Sequence, residues 1–187
     1  MEGPWDLGYS LDKHTLKSTF IGYNEYGFAQ YDTLRTEVGE ALYRLKYKYD
    51  QRHVNNLATQ LVESLGGYFR SASCVIPVPP SKRRVRQPVI EIARLVAKKM
   101  NIPCREDILV KTQRTGQMKD IISKDERIDA LCSAFEVKER LDQNQNDVLI
   151  IDDLFDTGSS LEAATRMLRE CKKIQEIYVA TITRTMK

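Results

Sequence analysis

Three carboxylates, Asp152, Asp153 and Asp156, crowd the stretch "VLIIDDLFDTGSSL", and Thr157, Gly158, Ser159 and Ser160 follow directly behind them. A turn of hydroxyls and a backbone-permissive glycine that opens a helix suits an anion. The first amides of a helix have no partners within it, and the helix dipole places positive potential at the same end. A phosphate monoester fits such a turn better than a metal does. Acids beside it must therefore face a different, less negative part of the ligand. The lysine of GxxxxGK[ST] is absent, which excludes a nucleoside-triphosphate P-loop, and no GxSxG nucleophile elbow is present. A bare Asp-Thr-Gly is more often a helix cap. Here the acid pair at the end of a buried strand favours a ligand site.

The elements that position these residues follow from hydrophobic period. "DVLIID" is apolar on both faces, as a central parallel strand covered by helices should be, so Asp152 and Asp153 are expected at its carboxyl end, outside which open α/β sheets bind ligands. A helix is expected from about Ser159 to Cys171. "CVIPVPP" reads as a buried strand closed by prolines, and "DILVKT", "FEVK" and "EIYVATI" as further strands. Helical spacing begins at Thr33 with Leu34, Val38, Ala41, Leu42 and Leu45. It recurs from Val54 to a Gly66-Gly67 stop, and again behind Pro88. Ser123 and Glu126 have the spacing of a capping box. Strands alternating with helices predict an α/β fold with a mostly parallel central sheet flanked by helices, in a single domain over residues 1–187. Residues 1–32, rich in glycine and aromatics without sustained period, are expected to form a cap or hood, an antiparallel pair being the simplest form.

Composition limits the partners. Lys and Arg number 29 against 26 Asp and Glu, a net charge of +3, so a nucleic-acid partner has no support from bulk charge. Local basic segments, "KRRVR" and "RLKYKY", would have to carry it, and in the second Lys46 and Lys48 read as a solvated helix face. No stretch approaches a membrane span, and the expected location is cytoplasmic. The four cysteines, with no CxxC spacing, read as reduced and mostly buried thiols; His14 and His53 receive no role.

"VLIIDDLFDTGSSL" resembles the phosphoribosyl-pyrophosphate motif of type I phosphoribosyltransferases. The resemblance implies that Asp156, Thr157, Gly158, Ser159 and Ser160 hold the 5-phosphate and that Asp152 and Asp153 lie against the ribose hydroxyls as the catalytic pair. Cleavage at the anomeric carbon develops oxocarbenium character, so carboxylates there offset growing positive charge. Asp156 is expected to orient the turn through its own backbone hydrogen bonds. It further implies that Pro80, Ser81, Lys82, Arg83 and Arg84 serve the pyrophosphate, and that "VKTQRTGQMKDIISKDERIDALCSAF" is a flexible loop whose Lys111, Arg114 and Gln117 contact it. Mg²⁺ is the implied cofactor, held mainly by the substrate, with no protein residue assigned as a metal ligand.

More of the chain is similar to the ComF-like competence-protein family. The matching segments are "LYRLKYKYD", the "PVP" run with its arginines, "RTGQ" through "ER" to "AF", the acid-pair motif, and "YVATITRT". That family commonly opens with a four-cysteine zinc ribbon, whereas no cysteine precedes Cys74 here. The resemblance implies an enzyme that binds phosphoribosyl pyrophosphate and transfers phosphoribosyl to an unidentified nitrogenous base or amine, releasing pyrophosphate. The alternative is a non-catalytic sensor of that donor or of nucleotides, or a single-stranded nucleic-acid-binding protein. A homodimer is left open.

Overall fold

A computed structural model describes residues 1–80, 86–113, 123–138 and 146–185. Four strands, β1 (Leu7–Lys13), β4 (Cys74–Pro77), β7 (Val148–Phe155) and β8 (Ile177–Arg184), make an all-parallel sheet in the order β1-β8-β7-β4. β2 (Thr15–Tyr23) and β3 (Ala29–Arg35) form an antiparallel hairpin, and β5 (Leu109–Lys111) pairs with β6 (Phe135–Val137) as a small antiparallel ribbon.

Helices α1 (Glu37–Tyr47), α2 (Arg52–Leu65) and α3 (Pro88–Met100) cover one face of the sheet; α4 (Lys124–Ala134) and α5 (Ser159–Arg169) cover the other. Alternation along β7 explains why its sequence is apolar throughout. Val148 and Ile150 enter the core beneath α4 and α5, while Leu149 and Ile151 enter the core beneath α1–α3, all four fully buried.

Local signals set most boundaries. Thr36 caps α1 by accepting from the Gly39 amide at 3.0 Å, and Pro88 opens α3. Asn101, in a left-handed conformation, closes α3, and Ser123 and Glu126 complete a capping box on α4. The helix expected from Thr33 begins instead at Glu37. Thr33, Leu34 and Arg35 pair with β2, and cross-strand pairing outweighs the helical spacing of Leu34 until the Thr36 cap takes over.

The region expected as a cap or hood divides in two. The antiparallel pair is present as β2-β3, but Leu7–Lys13 enters the central sheet as a parallel edge strand beside β8. Asp6 anchors that strand: its Oδ2 accepts from the Ile177 amide at 2.7 Å and pairs with the Arg169 guanidinium. Cys74 and Cys171 are buried and Cys104 and Cys132 half-buried, all as free thiols. No described helix is long and apolar enough to cross a membrane.

Candidate functional site

β7 does not end at the acids. Its pairing with β8 continues through Asp152 opposite Thr181, Leu154 opposite Thr183 and Phe155 opposite Arg184, so both acids lie within the strand. Pleating then sends them to opposite faces: Asp152 to the side of α4 and α5, Asp153 to the side of α1–α3. The extension was illegible because the partner register that sustains it belongs to the last strand of the chain.

Behind Phe155 the chain turns sharply. Gly158 sits at φ 79° as the residue preceding α5, and a Cβ there would come within 2.9 Å of the Phe155 ring, so both backbone angle and space call for glycine. No side chain caps α5. The Thr157 and Ser159 hydroxyls lie 2.9 Å apart, which holds them on one side of the turn beside the helix amides. Asp156 does not bond its own backbone as expected. Its Oδ1 accepts from the Thr185 hydroxyl at 3.0 Å, tying the turn to the end of β8.

The turn and the acids share two adjoining cavities. The smaller, about 60 Å³, is lined by Asp152, Leu154, residues 156–160 and Leu161. The larger, about 230 Å³, is lined by Asp152, Asp153 and Ser160, together with Pro80, Lys46, Gln87 and Lys111 among others. Asp152 and Ser160 border both. Of the residues assigned to pyrophosphate and to the flexible loop, Pro80 and Lys111 are thus brought to the acids. Ser81, Lys82, Arg83, Arg84, Arg114 and Gln117 lie outside the described residues.

Electrostatics separates the two carboxylates. Burial first, and then the neighbouring Asp153 charge, push Asp152 up to about 8, opposed by the Asp153 amide that its Oδ1 accepts at 2.8 Å and by Lys46. By surface area the residue is half-buried. Asp153 Oδ2 lies 2.8 Å from Lys46 Nζ, both side chains less than a fifth exposed. Burial lowers the Lys111 pKa, as expected for an ammonium enclosed by the cleft.

Lys46, expected on a solvated helix face, stands one turn after the buried Leu42 and reaches across to β7. That i, i+4 spacing was the available signal. His14, given no role, packs at the same rim. Its Nδ1 meets the Thr183 hydroxyl at 3.0 Å, and Thr183 donates to the Asp153 carbonyl at 3.3 Å. Burial, with Arg35 and Lys46 nearby, lowers the His14 pKa. No chemical pattern around a lone histidine could have announced this position.

Among the described residues no cluster of three or more His, Cys, Asp or Glu side chains is arranged to hold a metal. Asp152 and Asp153 do offer hard oxygen donors, Asp153 with Lys46 beside it. That donor set suits a dication carried mainly on phosphate oxygens.

Fold and site together define a parallel α/β protein with an acid pair and a hydroxyl-rich turn at the carboxyl side of its sheet. No protein-family model matches the chain. The chain is homologous to the competence protein ComFC of Bacillus subtilis (strain 168), with 27% identity over 147 residues, 78% of this chain and 59% of the relative, so it spans under two thirds of that protein's length. The expected ComF-like resemblance therefore stands. Among solved structures, it resembles the orotate phosphoribosyltransferase of Aeropyrum pernix (TM-score 0.49, 14% identity, 91% of this chain and 76% of that one). It also resembles the adenine phosphoribosyl transferase of Trypanosoma brucei in complex with AMP, pyrophosphate and ribose-5-phosphate (TM-score 0.49, 13% identity, 90% of this chain and 63% of that one). A third is the purine phosphoribosyltransferase of Pyrococcus horikoshii Ot3 (TM-score 0.43, 18% identity, 72% and 84%). At these scores no residue role is carried across.

Proposed function

We propose that this protein binds phosphoribosyl pyrophosphate with Mg²⁺ and transfers phosphoribosyl to a nitrogenous acceptor. The observation that carries the reading is that Asp152 and Ser160 border both the phosphate-sized cavity and the wider cleft, which joins an anion turn to an acid pair within one site. The 5-phosphate would rest on the hydroxyls of Thr157, Ser159 and Ser160 and the first amides of α5. The ribose would lie over β7 between Asp152 and Asp153, and the pyrophosphate would extend toward Lys111 and Pro80. Mg²⁺, bound to phosphate oxygens with Asp152 or Asp153 alongside, would neutralise the leaving group.

In the transfer, the acceptor nitrogen forms its bond to the anomeric carbon as the bond to pyrophosphate oxygen breaks, with inversion. The leaving oxygen keeps the electron pair, and the acceptor gives up a proton to solvent or a nearby base. Asp152 and Asp153 offset the positive charge that grows on the ribose, a stabilisation confined to the transition state.

A second reading, a sensor that binds the donor without turnover, draws support from one feature: Lys46 already occupies Asp153, which would keep one acid engaged. Calorimetric titration tests both readings. Mg²⁺-dependent binding of phosphoribosyl pyrophosphate that Asp153→Ala and Thr157→Ala weaken is the expected result, and absence of binding would remove both. Pyrophosphate release across a panel of bases and amines then decides between enzyme and sensor.

A further inference from the structure

The two histidines of the chain sit in unlike surroundings. His53 lies on α2 with its Nε2 3.4 Å from Asp50 Oδ2. His14 joins β1 to the β2-β3 hairpin and is fixed from three sides. Its amide donates to the Arg184 carbonyl at 2.8 Å. Its carbonyl faces Gly39 of α1 so closely that a Cβ there would collide with it. Its ring meets the Thr183 hydroxyl through Nδ1 at 3.0 Å.

Proton counting fixes the state of that ring. The fully buried Thr183 hydroxyl has one proton to give, and its second neighbour, the Asp153 carbonyl at 3.3 Å, can only accept. Both contacts are satisfied together only when the hydroxyl donates to the carbonyl and accepts from His14 Nδ1–H. In the neutral ring Nε2 then carries a lone pair, and among the described residues it has no hydrogen-bond partner. Burial, with Arg35 of β3 and Lys46 of α1 nearby, keeps the half-buried ring neutral against the opposing pull of Asp153. Lys46 and Asp153 line the wider cleft, and His14 stands two hydrogen bonds from the backbone of the acid pair. Lys46, the other side-chain nitrogen at this rim, is bound in its ion pair with Asp153.

We propose that His14 is the general base of the transfer, its Nε2 taking the proton of the acceptor nitrogen. The inference rests on the phosphoribosyl-transfer reading and supplies the base that reading leaves open. As the acceptor nitrogen bonds to the anomeric carbon and the bond to pyrophosphate oxygen breaks, the leaving oxygen keeps the electron pair and the acceptor proton passes to Nε2. The imidazolium so formed later releases that proton to solvent. Asp153 offsets its charge in the interval, and Thr183 holds the ring in one orientation, as a catalytic base is held by a third group.

Two measurements on the full chain test this. Long-range proton–nitrogen NMR spectra at neutral pH should show His14 with its proton on Nδ1 and a bare Nε2, its signals being those lost in His14→Asn. A proton on Nε2 instead would overturn the proposal. Turnover is read as pyrophosphate release from phosphoribosyl pyrophosphate with Mg²⁺ and a panel of nucleobases and amines. The amide of His14→Asn can replace the Nδ1 donor but not Nε2. This variant should therefore bind the donor as the wild type does in calorimetry, yet turn over about a hundredfold to ten-thousandfold more slowly, with part of the rate restored by added imidazole. His53→Asn should match the wild type. Full turnover by His14→Asn, or a slow rate accompanied by lost donor affinity and no imidazole rescue, would overturn the base and leave the transferase reading standing. A wild type that releases no pyrophosphate would remove the transfer itself, and this base with it.

Discussion

Lys46 of α1 and Asp153 of β7 hold their charges 2.8 Å apart at the rim of the cleft, joining a helix of one layer to the acid pair on the central strand. The pairing offsets the Asp153 charge, while Asp152, its pKa pushed up to about 8, holds its proton near neutral pH. An anionic donor approaching this site meets less repulsion than the acid pair alone would present.

Replacing Lys46 with Met should therefore weaken donor binding by about tenfold when Mg²⁺ is limiting, with part of the loss restored as Mg²⁺ is raised, since the dication supplies the missing charge. Titration at two Mg²⁺ concentrations measures this. Equal affinities for variant and wild type would remove Lys46 from the site.

Asp152→Asn should trade binding for stability. The folded protein holds the Asp152 proton more tightly than the unfolded chain does, with a pKa of about 8 against the ordinary 3.8. Ionising this group thus costs stability progressively as pH rises from about 4 to about 8, and no further above that. The melting temperature of Asp152→Asn, at parity with wild type near the acid end of this window, should exceed it by a few degrees at the alkaline end. A difference constant with pH would show that Asp152 ionises normally.

Gly158→Ala should destabilise the turn by about 1–2 kcal/mol from the left-handed backbone alone, with more from the Phe155 contact, or ~2–4 °C of melting temperature per kcal/mol for a chain of this size. Donor affinity should fall further than stability does, because the added methyl displaces the α5 amides. Unchanged affinity would separate this turn from the phosphate.

Asp156 and Thr185 should act as one unit. If the carboxylate works through its hydrogen bond, Thr185→Val reproduces the binding loss of Asp156→Ala and the double variant adds little to either. Additive losses in the cycle would instead give Asp156 a direct contact with ligand.

What the sequence made legible was what short-range rules govern. Pro88, the Ser123–Glu126 box and the Gly66–Gly67 stop act within a few residues of themselves, and each helix boundary they mark is observed. The two apolar faces of residues 148–151 announced a central strand in the same way. Long-range pairing was illegible. Leu7–Lys13 carries no signal that its partner is Ile177–Arg184, the extension of β7 past Asp152 depends on that same distant strand, and Lys46 meets Asp153 from another layer. The site turn could be read because its own residues build it; the acids' opposite orientations and their lysine could not.

The union of β1 with β8 also bears on how the chain is made. Asp6 and Ile177, bonded through side chain and amide, are 171 residues apart. On a ribosome β1 leaves the tunnel long before β8, its sheet neighbour among the described residues, exists, and such distant contacts close slowly. Throughout that interval β1 lacks its β8 partner, while β2 and β3 can already pair with each other. Nascent chains halted before Ile177 should therefore be the species most in need of a chaperone.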